Sequence, residues 1–212
     1  MKSEVPHLGL RLLHSFFLLG ISLIVFSCET YNVPLDPKVV RPSIVERRFP
    51  GRLLVYYPDQ FSEYALTETT RRLLGTNQWE FKIGPASWSL FEQILPMIFR
   101  AVSRKRGVAK FPIVKRPIPD LVLVPLIEGF YWGFGATPFG DTFATIRYRL
   151  TIYDPKGKLV YRTLIKGEST VKGIGKEVIG DVANAALEDG GRKIIEDLLT
   201  SIELKLFLRK RR

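Results

Sequence analysis

The sequence is poor in the side chains that most catalytic and metal sites use. Among its 212 residues there are one cysteine and two histidines. These three residues, His7, His14 and Cys28, all lie near the start of the chain. The remainder therefore lacks the groups for Ser-His-Asp or Cys-His nucleophilic catalysis and for the usual zinc sites. We expect no catalytic activity, no bound metal and no cofactor.

Acidic residues remain, so a carboxylate-dependent hydrolase acting on the cell wall stays open as an alternative. No two acidic residues stand in a recognisable catalytic context, however. The segment GIGKE at residues 173–177 lacks the length and the Ser or Thr of a phosphate-binding loop. Composition therefore favours a binding protein over a catalyst.

The chain also lacks an apolar run long enough to cross a bilayer. Residues 16–26, FFLLGISLIVF, are almost entirely apolar, but Arg11 and His14 precede them and Glu29 follows closely. A transmembrane helix needs about 20 apolar residues. A weakly basic start followed by a short apolar run is typical of a secretory signal. We therefore expect residues 1–27 to be a signal peptide.

The residues that end this run resemble the lipobox of bacterial lipoproteins. Val25, Phe26, Ser27 and Cys28 place a branched apolar residue three positions before the cysteine and a small residue directly before it. The resemblance implies that Cys28 becomes the acylated first residue of the mature chain and that its acyl chains anchor the protein in a membrane. An unmodified thiol at Cys28, beside an ordinary signal or anchor, is the alternative.

Such an anchor implies an exported protein that faces the periplasm from the outer membrane. Glu29 directly after the cysteine is similar to an inner-membrane retention signal of some bacteria, so the inner membrane stays open. A lone thiol is a liability in an oxidising compartment unless it is modified, and this favours the lipid interpretation.

Negative charge is scarce relative to positive charge. The chain has 32 Lys and Arg against 21 Asp and Glu, a formal net charge of +11. Such an excess predicts an anionic partner. For an exported protein the anionic partner is a lipid, lipopolysaccharide or a cell-wall polymer, and we expect no nucleic acid.

The positive charges concentrate in two segments, both of which have a plain alternative as solvated loop or tail. Residues 100–116 contain seven of them and no acidic residue: Arg100, Arg104, Lys105, Arg106, Lys110, Lys115 and Arg116. A second group ends the chain: Lys205, Arg209, Lys210, Arg211 and Arg212. We predict that the first group contacts an anionic ligand.

One segment is unusually rich in aromatic residues. Residues 129–142, GFYWGFGATPFGDT, contain Phe130, Tyr131, Trp132, Phe134 and Phe139. If the segment connects two strands, an exposed aromatic tip is expected, which typically contacts a partner or a membrane. The alternative is one long strand whose alternate residues fill the core, with glycines that make turns.

Hydrophobic periodicity predicts an α+β domain with the order β-β-α-β-β-β-α. The predicted strands are residues 53–57, 79–83, 120–132, 144–154 and 158–168, and the helices are residues 87–102 and 179–202. The last two strands form a hairpin through the turn DPKGK. We expect a mixed or antiparallel sheet with two helices packed on one face.

Four features of these elements carry separate expectations. Ser87 is the predicted N-cap of the first helix, and Pro96 predicts a kink or break within it. Pro125 predicts a bulge or a sheet edge. The pair Gly190 and Gly191 marks either a close approach of the last helix to the sheet or a break in that helix.

Proline spacing sets the predicted domain limits. Residues 28–51 contain Pro34, Pro37, Pro42 and Pro50, spaced too closely for a helix or sheet, and are predicted to be a tether. The alternative is that part of this segment lies along the domain as an irregular strand. We assign residues 52–204 to a single α/β domain and residues 205–212 to a basic C-terminal tail.

The hairpin with its D-x-x-G turn and the following helix, NAALEDGGRKIIEDLL, resemble in layout several small envelope lipoproteins. These are the lipoprotein plug of the lipopolysaccharide translocon, lipoprotein activators of penicillin-binding proteins and the curli-secretion lipoproteins. The resemblance covers residues 80–204, and it transfers no functional residue because it has no diagnostic motif.

This layout implies a lipid-anchored, non-catalytic binding or assembly factor for a membrane or cell-wall complex. The alternative that it leaves open is an accessory lipoprotein of a translocon that handles lipopolysaccharide or another anionic amphiphile. An envelope protein complex and an anionic lipid are thus the expected partners.

Overall fold

The computed structural model describes residues 28–39, 48–72, 75–135, 140–173 and 175–210. Its strands are β1 (Cys28–Val33), β2 (Phe49–Tyr57), β3 (Leu66–Arg72), β4 (Gly75–Phe81), β5 (Phe99–Arg106), β6 (Leu121–Phe134), β7 (Asp141–Tyr153) and β8 (Leu159–Lys172). Its helices are α1 (Asp59–Ser62), α2 (Ile83–Ile98), α3 (Lys176–Thr200) and α4 (Ile202–Arg209). The predicted α+β class is confirmed. The predicted signal peptide lies outside the described residues.

The described chain divides into two compact units, whereas the sequence predicted one domain over residues 52–204. The smaller unit includes residues 28–32 and 67–80 and is built on a three-stranded sheet in the order β1-β4-β3. Within it, the rings of Tyr31 and Trp79 lie 5.0 Å apart, and the Trp79 indole N–H donates to Thr70 Oγ1 at 2.9 Å.

The larger unit contains a five-stranded sheet in the order β5-β2-β6-β7-β8. β2 runs parallel to both β5 and β6, while β6-β7 and β7-β8 are antiparallel, so the sheet is mixed as predicted. The predicted hairpin is β7-β8. Asp154 Oδ1 accepts the backbone N–H groups of Lys156 and Lys158 at 2.8 and 2.9 Å, and Gly157 takes a φ of 93°, which favours glycine.

Helices α2 and α3 pack on the same face of this sheet, where they meet over Tyr148 of β7. The Tyr148 hydroxyl lies 2.8 Å from Ser87 Oγ of α2, and its ring lies beside Gly190 of α3. Burial raises the pKa of Tyr148, so the phenol stays neutral, and either of the two hydroxyl groups can donate this hydrogen bond. The predicted packing of two helices on one face is therefore observed.

The glycine pair in α3 marks a close approach, and the helix continues through it from Lys176 to Thr200. A Cβ atom on Gly167 of β8 would lie 2.2 Å from the carbonyl oxygen of Ala186 and 2.6 Å from the backbone nitrogen of Gly190. A Cβ atom on Gly191 would instead lie 2.9 Å from the side chain of Leu90 of α2. Glycine is required at residue 167 because backbone meets backbone there.

The loop at residues 107–120 covers part of the opposite face of the sheet. Its Ile113 packs on Leu54, Tyr56 and Val122, and the Ile113 N–H donates to the carbonyl of Pro155 in the hairpin turn at 2.8 Å. The second half of the predicted basic segment is thus fixed to the sheet by an apolar contact.

The first predicted helix, residues 87–102, corresponds to α2, which begins and ends earlier than predicted. α2 begins at Ile83, so Ser87 lies in its second turn, buried against Tyr148, and is not the N-cap. Pro96 lies in the last turn and does not break the helix, which ends at Ile98. Val102 continued the helical spacing in the sequence, but it belongs to β5, a strand that the periodicity missed.

The last predicted helix is two helices. Ser201 separates them and caps α4 by accepting the Leu204 N–H on its hydroxyl oxygen at 3.3 Å. Ile202, predicted to lie on the buried face, is therefore exposed, and Leu204 and Leu208 are buried in its place. Residues 205–209 of the predicted basic tail belong to α4, while Arg211 and Arg212 lie outside the described residues.

The predicted tether is corrected at both of its ends. Residues 28–33 form β1, and residues 49–51 belong to β2. Proline did not prevent these strands because Pro34 follows β1 and Pro50 lies near the start of β2. Residues 40–47 lie outside the described part of the chain.

The middle of the same segment follows the predicted alternative and lies along α3. The backbone N–H of Asp36 donates to Asn184 Oδ1 at 2.9 Å, and that of Lys38 donates to Glu188 Oε1 at 2.8 Å. Side chains of α3 thus replace the strand partner that an irregular segment lacks.

Pro125 lies where β6 leaves its parallel neighbour. The pairing with β2 covers Leu121 to Leu123, and the pairing with β7 shifts register between Ile127 and Gly129. A missing N–H is tolerated at such an edge, in agreement with the expectation from the sequence.

Replacement of Gly167 by Ala should destabilise the larger unit by about 3 kcal/mol, because the new methyl group meets the backbone of α3. The matched control is Gly180→Ala, at a glycine of α3 itself. Its Cβ would lie 3.7 Å from the nearest atom, so loss of unfolded-state entropy should stabilise the protein by about 0.5–1 kcal/mol. Urea denaturation measures the free energy of unfolding of both variants. Equal changes in the two variants would contradict a close contact between Gly167 and α3.

Candidate functional site

The candidate site is built on β5, which lies at the edge of the large sheet beside β2. Its sequence, FRAVSRKR, carries four positive side chains and no negative one. Alternation of the strand sends Arg104 and Arg106 to the face covered by α2 and Lys105 to the opposite face beside Tyr56. Positive charge therefore borders both faces of this edge.

Among the four positive residues of β5, Arg104 is the one that forms an ion pair within the described chain. Its Nε lies 2.5 Å from Glu92 Oε2 of α2, and the Tyr57 hydroxyl donates to Glu92 Oε1 at 3.2 Å. Burial and the negative charge of Glu92 raise the pKa of Tyr57, so it remains a neutral donor. Glu92 thus ties the basic strand to α2.

Arg106 stands beside an open groove at the end of the strand. Its guanidinium carbon lies 5.2 Å from the ring centre of Trp88, and the Trp88 ring stacks on Tyr57 at 4.4 Å. Ser62, Pro85, Trp88 and Arg106 line this groove of about 410 Å³. Such a groove can hold a ligand that combines an apolar surface with an anionic group.

The loop that follows β5 adds three exposed positive side chains, Lys110, Lys115 and Arg116. We define the basic edge as the seven residues predicted from the sequence: Arg100, Arg104, Lys105, Arg106, Lys110, Lys115 and Arg116. All seven are exposed. Within the described ranges, Arg104 alone among them has a carboxylate within ion-pair distance, and the structure therefore leaves the other charges uncompensated.

Two members of the second basic group, Lys205 and Arg209, line a smaller cleft. Lys205, Leu208 and Arg209 of α4 line it together with Phe49 and Pro50, and its volume is about 170 Å³. The sequence analysis assigned Lys205 and Arg209 to a basic C-terminal tail, and it therefore missed the helix to which they belong. The apolar spacing of Leu204 and Leu208 is the signal that indicates a helix.

Two of the five predicted aromatic contacts lie in the core. Phe130 and Trp132 are 3% and 8% exposed, and their rings lie 5.2 and 5.1 Å from that of Phe81. The prediction of an exposed aromatic tip is wrong for both, because β6 continues to Phe134 and its alternate residues face inward.

The other three aromatic residues differ from one another. Tyr131 is 53% exposed, and the Arg147 guanidinium carbon lies 5.5 Å from its ring centre. Phe134 is partly buried and packs edge-on against Trp132. Phe139 lies outside the described residues. Tyr131 is therefore the one exposed member among the four that the structure describes.

Cys28 is the first residue of β1, so a strand follows the predicted acylation position directly. Among residues whose placement is described, no group of His, Cys, Asp and Glu could hold a metal ion. In the same ranges, no helix has both the length and the apolar character that crossing a membrane requires.

Trp132→Ala should lower the free energy of unfolding by about 3–5 kcal/mol, because a buried aromatic side chain is lost. Tyr131→Ala, one residue away on the exposed face, should cost less than about 1 kcal/mol. Thermal denaturation of the two variants checks the assignment. A larger loss of unfolding free energy for Tyr131→Ala than for Trp132→Ala would show that the buried and exposed faces of β6 are assigned the wrong way round.

No family model matches the chain, and no curated protein matches it. Among solved structures, a Xanthomonas campestris protein of the family DUF330 is similar with a TM-score of 0.49 and 13% identity, over 86% of this chain and 97% of that one. The minor lipoprotein of Acinetobacter baumannii is similar with a TM-score of 0.42 and 6% identity, over 70% of this chain and 91% of that one. Both scores lie below one half, so both likenesses are remote.

Proposed function

We propose that this protein is a lipid-anchored envelope protein that binds an anionic component of an envelope complex and has no catalytic role. The observation that carries the proposal is the uncompensated positive charge of the basic edge. An anionic ligand relieves the mutual repulsion of these groups. Each exposed charge contributes up to about 1 kcal/mol at an anionic surface, so several together support specific binding.

The anchor rests on the residues VFSC that end at Cys28. Because β1 begins at Cys28, acyl chains on this residue would hold the three-stranded sheet of the smaller unit close to the bilayer. More than one acyl chain makes such anchoring stable. The outer membrane facing the periplasm is the compartment that we propose.

The non-catalytic role follows from the side chains that the exported chain would keep. After removal of residues 1–27 and acylation of Cys28, it would contain neither a free thiol nor an imidazole. The remaining charged surface is suited to recognition, since its groups are exposed and free to meet a partner of opposite sign.

Cys28→Ala should abolish incorporation of labelled palmitate when the chain is produced in a bacterium that processes lipoproteins, because the acceptor sulfur is gone. Gel fluorography of the immunoprecipitated protein measures the label. Ser27→Ala, which keeps a small residue before the cysteine, is the control and should retain it. Equal labelling of Cys28→Ala and the unchanged chain would refute the anchor.

Lys105→Ser combined with Lys115→Ser should weaken the binding of a soluble polyanion about tenfold at low salt, since two uncompensated charges are removed. The full-length protein is anchored in vesicles of neutral phosphatidylcholine, and fluorescence anisotropy follows labelled polyglutamate and polyphosphate separately. Binding of either probe supports the proposal.

Arg162→Ser combined with Lys172→Ser is the matched control, because it removes the same charge from exposed positions of β8. It should leave the affinity within about twofold of that of the unchanged protein. The proposal fails if the unchanged protein binds neither probe, or if both double variants lose affinity equally.

A further inference from the structure

The two edges of the large sheet differ in how their backbone groups are satisfied. At β8, the outward N–H of Glu168 donates to Asp189 Oδ2 at 3.0 Å, and the outward carbonyl of Lys166 accepts Lys193 Nζ at 2.9 Å. Both side chains belong to α3, which therefore caps this edge at Lys166 and Glu168. An edge capped in this way cannot accept another strand at those residues.

The acidic member of this cap is firmly ionised. Lys193 Nζ lies 2.7 Å from Asp189 Oδ2, and Arg192 lies 2.6 Å from Asp189 Oδ1. Partial burial alone would raise the pKa of Asp189, but the hydrogen bonds from Lys193, the Glu168 N–H and Arg192 together lower it. The cap is thus intact at neutral pH.

β5 presents its opposite edge without such a cap. The N–H of Gly107 donates to the Tyr57 carbonyl of β2 at 2.9 Å, so the odd-numbered residues of β5 point their backbone groups toward β2. The N–H and carbonyl groups of Val102, Arg104 and Arg106 then point away from the sheet. Within the described ranges, no strand or side chain bonds these outward groups.

We propose that an extended acidic segment of a partner protein adds to β5 as a sixth strand of the large sheet. This inference rests on the proposed function and identifies the anionic component that the basic edge binds. The added backbone satisfies the outward groups of β5 at a spacing of about 4.8 Å. Its acidic side chains alternate between the face of Arg104 and Arg106 and the face of Lys105.

Charge selects this occupant over a second copy of the same chain. Pairing β5 with another β5 would set the positive side chains of two strands against one another, and like charges opposite each other destabilise a sheet. A phosphate-bearing lipid would pair with the guanidinium groups but would leave the row of backbone groups unsatisfied. An acidic strand satisfies both sets of groups.

The same positive charge gives selectivity. Charged side chains on an edge strand oppose pairing with neutral or basic strands, and this protects the free edge from aggregation. Only a segment of opposite charge converts the repulsion into attraction. About five residues of the partner are enough to span the outward groups from Val102 to Arg106.

The first experiment uses a labelled peptide of about eight residues in which pairs of Glu alternate with pairs of Val, so that an extended peptide carries Glu on both of its faces. Its affinity for the full-length protein, anchored in neutral vesicles, is compared with that of the same peptide N-methylated at its central backbone nitrogens. N-methylation keeps the charge and blocks strand pairing, so the methylated peptide should bind about tenfold more weakly.

The second experiment removes one outward N–H from each edge. Val102→Pro does so at β5 with all charges retained, and Leu164→Pro does so at the corresponding outward position of β8. Val102→Pro should weaken binding of the unmethylated peptide about tenfold, whereas Leu164→Pro should leave it unchanged. Thermal denaturation checks that both variants fold; if either does not, the peptide comparison on the unchanged protein decides.

The outcomes separate this inference from the proposed function. Equal, salt-dependent binding of both peptides overturns strand addition and leaves the basic edge as a general anionic contact. Binding of polyphosphate but of neither peptide also overturns it and favours a phosphate-bearing lipid surface. Binding of none of these probes overturns the proposed function itself.

Discussion

The close contact between β8 and α3 is the constraint on which the rest of the larger unit depends. With glycine at positions 167 and 190, the helix backbone lies directly on the strand. Asp197 of the same helix can therefore accept the hydroxyl of Tyr161 at 2.9 Å, and Asp189 can reach the outer backbone of β8. A larger residue at position 167 would meet the backbone of α3 and move these carboxylates away from β8.

This contact makes the two sides of the sheet unequal. α3 covers the face of β7 and β8 and also caps the β8 edge at Lys166 and Glu168. α2 reaches the other side only through side chains, with Glu92 on Arg104 and Trp88 beside Arg106. Within the described chain, no strand or side chain bonds the outward backbone groups of β5, so this edge stays open.

The sequence predicted the elements whose pattern is local and missed those that depend on distant partners. Strict alternation from Ile146 to Ile152 identified β7, and the Asp154 turn identified the hairpin. β5 was hidden because both of its faces are polar and Val102 continued the spacing of the preceding helix. The burial of Trp132 was undecidable from the sequence, since it depends on how far β6 continues. The seven charges of the basic edge could be listed from the sequence, but their division between two faces of the sheet could not.

The number of positive charges on β5 exceeds what an edge strand needs for protection against aggregation. Protection against aggregation needs only a charge or two on an edge strand, and β8 achieves it with a cap from α3. β5 carries four positive groups, and the loop covering the neighbouring face adds three more, while Glu92 alone among the described carboxylates pairs with any of them. Mutual repulsion of like charges opposes the compact state, and a bound anion would relieve it. This excess over what protection needs is the reason for proposing a partner of opposite charge.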